Sequence, residues 1–71
     1  MLDTTDRHPS VAQVAQYFEY EHLSSEKLQE VSGMCYDLAS YMLRVLPDSP
    51  ELTVGLRKLL EAKDCFVRAA L

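Results

Sequence analysis

Leu46-Pro47-Asp48-Ser49-Pro50-Glu51 is the stretch that decides how this 71-residue chain folds. Each proline lacks an amide hydrogen and disfavours helical geometry in the residue before it, so no helix runs through the segment. Ser49 as N-cap, Pro50 at the first helical position and Glu51 behind it then start a new helix at once. A link this short between two helices makes an antiparallel hairpin.

Upstream of the turn, Leu28, Val31, Cys35, Leu38, Met42 and Val45 recur at steps of three and four. This spacing predicts a long helix over 24–46 with a single apolar seam. Ser24 and Ser25 offer its cap, and Glu26 complements the positive end of the helix dipole. Gly33 sits in mid-helix, where it costs about 1 kcal/mol relative to alanine and is either simply tolerated or there to permit a close contact with another backbone or a ligand. Leu38 lies in the middle of the seam, so an arginine there is expected to break the core.

Earlier still, Ser10 followed by Gln13 is a capping-box pattern. It opens a short helix over 10–20 whose apolar face is Val11, Val14, Ala15 and Phe18, preceded by a polar lead over 1–9. Downstream of the turn, Leu52, Leu56, Leu59, Leu60, Phe66, Val67 and Ala70 give the second arm, 50–70, a wide apolar arc. The fold class is therefore all-α: one domain, an antiparallel helical hairpin with a short N-terminal helix. Arms about 30 Å long cannot enclose a core between two helices alone. The apolar surface left over must be covered by the short helix, another copy or a partner. Because so small a chain lacks the usual staples, a homo-oligomer is the expected answer.

Composition narrows the function classes. Eleven acids against seven bases give a net charge of −4, which argues against nonspecific attraction to DNA, RNA or anionic lipid. No apolar run reaches the roughly 20 residues of a membrane span, and MLDTTDRHPS has no hydrophobic signal core, so a cytosolic chain is expected. Cys35 and Cys65 lack the spacing of a zinc site and read as buried thiols. His8 and His22 have no second histidine at the i+4 spacing of a helical metal site, and no nucleophile elbow accompanies them. The expectation is a protein without catalytic residues, metal or cofactor.

Two sets of side chains remain open to a binding role. Tyr17, Tyr20, Tyr36 and Tyr41 either flank the core or stack on a base. Arg57, Glu61, Asp64 and Arg68 share one helical face, an ordinary solvated stripe. The alternative is that Arg57, Lys58 and Arg68 meet symmetry mates and grip phosphate with them.

The segments YEHLSSEKLQEVSGMCYDLASYML (20–43) and LPDSPELTVGLRKLLEAKDCFVRAAL (46–71) resemble, in order, the phage anti-CBASS cyclic-nucleotide sponges, whose helical hairpin is shared with the anti-Thoeris sponges. The resemblance rests on Tyr20 before a polar link, Asp37-Leu38-Ala39 in the first arm, the Pro-Asp-Ser turn, and Leu60-Glu61-Ala62 in the second arm. It implies a homohexamer in the cytoplasm of an infected bacterium. Such an assembly would sequester cyclic dinucleotides, cyclic trinucleotides or both without cleaving them, blocking immune signalling. Tyr20 takes the position of the family's base-stacking tyrosine. The family's phosphate-binding lysine has no counterpart, because Gly33-Met34-Cys35-Tyr36 holds no cation. The phosphate contacts implied are then Arg57, Lys58 or Arg68. The second reading is a small helical phage protein that inhibits a host protein by direct contact.

Overall fold

The computed structural model describes residues 2–71, and among them there are helices and no strand. Helix α1 spans Pro9–Ala15 and passes into a 3-10 turn, Gln16–Phe18; α2 spans Glu26–Val45 and α3 spans Pro50–Ala69. The two long helices form the expected hairpin, with α1 laid across one flank. Ser25 caps α2, its hydroxyl accepting from the Leu28 amide at 3.1 Å. Ser49 caps α3 in the same way, accepting from the Leu52 amide at 3.0 Å.

The N-terminal helix departs from the sequence expectation at both ends. His8, not Ser10, is the N-cap: its Nδ1 accepts from the Ser10 amide at 3.1 Å. The Ser10 hydroxyl lies 2.9 Å from the same His8 nitrogen and 3.0 Å from the Thr53 hydroxyl of α3, linking the cap to the hairpin. The α-helix ends at Ala15 because the chain tightens into a 3-10 turn, where residues three apart eclipse one another. Ala15 and Phe18 thereby face the core together, and Glu19 turns away into extended geometry.

The core is a single cluster of Leu2, Val11, Val14, Ala15, Phe18, Ala39, Leu43, Leu52 and Leu56, with Tyr36, Leu59 and Leu60 packed against it. On α2 the buried line is Ser32, Cys35, Ala39 and Leu43, which corrects the expected seam. Leu38 is 44% exposed and Val45 is 49% exposed. The reason is the size of Ala39, which has no exposed surface: a methyl group lets α3 and the 3-10 turn approach α2 more closely than leucine would. The bulky residues beside it are left on the flank. Phe66 of α3 is likewise exposed, as is Cys65; only Cys35 is a buried thiol, its pKa raised by desolvation. An arginine at Leu38 therefore meets solvent in the single chain and leaves its core intact.

The polar lead is an ordered part of the fold. Leu2 is buried, and Asp6 adopts φ 62°, directing Arg7 toward the hairpin turn. Arg7 donates to the carbonyls of Leu43 and Leu46 at 2.6 and 3.0 Å, satisfying acceptors that the end of α2 leaves without helical partners. Its Nε donates to Asp48 at 2.6 Å, and the other Asp48 oxygen accepts from the His8 amide at 2.7 Å. This clasp ties the N-terminus to the turn.

The His8 amide, and then the Arg7 guanidinium, hold the Asp48 carboxyl below the usual carboxylate range. A lowered folded-state pKa means that its contribution to stability is complete above about pH 4 and lost as pH falls through the lowered value. Asp48→Asn should therefore be less stable than the parent in urea denaturation at pH 7, with the gap closing toward pH 2. A gap of constant size would show that the carboxylate charge is not what the clasp uses.

Candidate ligand-binding site

Tyr20, the residue expected to stack on a base, follows the 3-10 turn and lies against α2. Its ring covers Gly33, where an added Cβ would stand 3.5 Å from the tyrosine Cε2. Its edge meets Tyr36 with ring centroids 5.3 Å apart and planes inclined by 67°, a favoured T-shaped contact. A residue no larger than alanine at 33 thus leaves room for an aromatic ring lying on the helix. Tyr20 remains partly exposed while two neighbours fix its orientation.

The field around these rings is negative. Desolvation raises the Tyr36 pKa first, and Glu19, Tyr20, Glu21 and Asp37 raise it further. Phosphate brought to this face meets carboxylates, so a ring platform here needs cations from elsewhere.

The nearest gathering of cations is a cleft of about 170 Å³ lined by Glu19, His22, Leu23, Ser32, Lys63, Asp64, Val67 and Arg68. The connector from Glu19 to Ser25 joins the two features, since Tyr20 rests on α2 while Glu19 and His22 line the cleft that reaches α3. Ser32 at its base is wholly buried, and its hydroxyl has no hydrogen-bond partner. Lys63 donates to the Tyr17 carbonyl at 2.8 Å and stands 3.8 Å from Asp64. Arg68 contacts the sulfur of Cys65 at 3.3 Å.

Of the three cations considered from sequence, only Arg68 reaches this cleft; Arg57 and Lys58 are exposed on α3 and line none of the principal clefts. The single chain does not assemble Tyr20, Arg57, Lys58 and Arg68 into one pocket. Lys63 was missed by the sequence reading. Its signal is a lone lysine in the apolar line of Leu56, Leu59, Leu60 and Val67, where a charge must find a partner. Ser32 was missed because a serine one place off the expected seam carries no sequence signal of burial.

Among the described residues there is no group of three or more metal-ligating side chains, and no helix is long and apolar enough to cross a membrane. No family model matches the chain, and neither a characterised protein nor a solved structure shows significant similarity to it.

The packing at Gly33 gives a direct test. A Cβ at 3.5 Å is ordinary contact, so Gly33→Ala should stabilise the protein by up to about 1 kcal/mol in thermal or urea unfolding. Gly33→Leu has no such room and should lift the Tyr20 ring, seen as a change in near-ultraviolet circular dichroism. Identical tyrosine spectra for the parent and the leucine variant would mean that the ring does not rest on Gly33.

Proposed function

We propose that this protein binds cyclic oligonucleotides without cleaving them, withholding an immune second messenger in the cytoplasm of an infected bacterium. The observation that carries the reading is the placement of Tyr20. A tyrosine partly open to solvent, fixed by Gly33 beneath it and Tyr36 at its edge, loses little freedom on stacking with a base. Its position before the long hairpin arm is also the one that the sponge resemblance gives to a base-stacking ring.

Phosphate recognition in this reading falls first to Arg68, with Lys63 and His22 beside it in the same cleft. Arg57 and Lys58 join only where copies meet, as in the hexamer that the resemblance implies. Pooling cations from several chains offsets the −4 charge of each one. Dihedral symmetry suits the ligands too, since cyclic di- and trinucleotides can themselves have twofold and threefold axes. The second reading, inhibition of a host protein by direct contact, draws on the exposed apolar side chains of α2, Met34, Leu38, Tyr41 and Val45.

Calorimetric titration with a panel of cyclic di- and trinucleotides tests the first reading. Binding of at least one member, with the ligand recovered chemically intact after long incubation, is expected. No heat with any member overturns it. Tyr20→Ala should weaken that binding by about 1–3 kcal/mol, while Tyr20→Phe retains most of it, because stacking uses the ring and not the hydroxyl.

A further inference from the structure

The flank of the hairpin opposite α1 is a continuous apolar face contributed by both arms. On α2 it comprises Met34, Leu38, Tyr41 and Val45, at steps of four, three and four, all between 44% and 69% exposed. On α3, Gly55, Leu59, Ala62, Phe66 and Ala69 continue the same heptad spacing beyond Leu52, itself buried in the core, with small and large residues alternating. Between them runs a groove of about 410 Å³ lined by Leu38, Met42, Leu46, Gly55, Leu56 and Leu59, among others. Two sustained heptad stripes side by side are the half of a four-helix bundle that another helical pair completes.

The charges along its two rims say which pair. Val45 and Pro50 end and begin the arms, so residues equally far from the turn stand level: Arg44 with Glu51, and Asp37 with Lys58. Arg44 and Asp37 edge the stripe on α2; Glu51 and Lys58 edge it on α3. None of the four takes part in the ion pairs found among the described residues, and Arg44 lies 5.1 Å over the exposed Tyr41 ring. A twofold axis along the hairpin's length places α2 of one copy antiparallel over α3 of the other. It brings Arg44 level with Glu51 and Asp37 level with Lys58 across the contact, twice each. Both of these rim pairs join opposite charges, while Glu30, one heptad earlier on the same edge, stands level with Cys65.

Size agrees. The Cα framework measures 34 × 19 × 18 Å, so its long side presents roughly 600 Å² and a pair hides about 1,200 Å², the threshold of a standard stable interface. The accessible surface of 4917 Å² also exceeds the roughly 4,500 Å² expected of a compact monomer of this mass. Gly55 fits the same account: nothing of its own chain lies within 4 Å of the place for its Cβ, at the level of the bulky Tyr41 of a second copy.

We propose that this face binds a second copy of the chain, giving a twofold four-helix bundle closed by Asp37–Lys58 and Arg44–Glu51 pairs between copies. Pairing engages Lys58 with a carboxylate, which takes it out of any phosphate contact between copies and leaves Arg57 and Arg68 for that role. Sedimentation equilibrium of the ligand-free protein at micromolar concentration tests it independently of nucleotide binding. The expected mass is two copies or an even multiple of two. Leu38→Arg should reduce the mass while keeping the helical circular-dichroism spectrum. Asp37→Lys, a surface change that spares the core, should weaken the dimer at least tenfold, and adding Lys58→Asp should restore it. A monomeric parent overturns the proposal, whether or not it binds another protein through this face. An Asp37→Lys variant that assembles like the parent, or a double variant that stays apart, overturns it as well.

Discussion

Phe18 is the largest side chain with no exposed surface, and the fold is organised by where it can go. Two antiparallel helices alone form a slab with no interior, so a buried ring needs a third wall. The 3-10 turn supplies it by bringing Phe18 into line with Ala15 and wedging the ring into the core that α1 shares with the hairpin. One wedge serves one flank. The other arc of each long helix keeps its leucines and methionine beside a groove, and the architecture is therefore a core on one flank and an open apolar groove on the other.

The hairpin was legible because its signals are local. Prolines at 47 and 50 and serines at 25 and 49 act through the backbone within a turn or two, and the structure uses each as the sequence indicates. Burial on α2 was less legible because it depends on what lies across the contact. Leu38 and Ala39 are neighbours, and hydropathy favours leucine for the inside; closeness of approach favours alanine, and the packing follows closeness. The heptad seam through Leu38, Met42 and Val45 is present in the sequence but belongs to the open flank. His8 as a cap and Leu2 as core were hidden for a related reason, since both take their roles from the clasp of Arg7 on residues some forty positions away.

The candidate site divides in the same way. Tyr20 is marked by position and chemistry, and its ring lies over Gly33, where an alanine would make only ordinary contact. The cations are another matter: spacing on α3 groups Arg57 with Arg68, yet only Arg68 meets the cleft beside the tyrosine connector. The acidic surroundings of Tyr20 and Tyr36 make the point physically. Rings bordered by carboxylates give an anion no favourable contact unless cations are brought to them from elsewhere.

The Arg7 clasp also sets a gradient of local stability along the molecule. At the turn, three guanidinium contacts and the His8 amide hold together the lead, the last carbonyls of α2 and Asp48. Toward the far end the tie is a single one, the Lys63 amine donating to the Tyr17 carbonyl at 2.8 Å; beyond it α3 closes on Leu71, 85% exposed, and α2 begins just after the connector that carries Tyr20. Opening fluctuations start where the fewest contacts must break. Opening therefore starts at the free end of the hairpin and reaches the turn last.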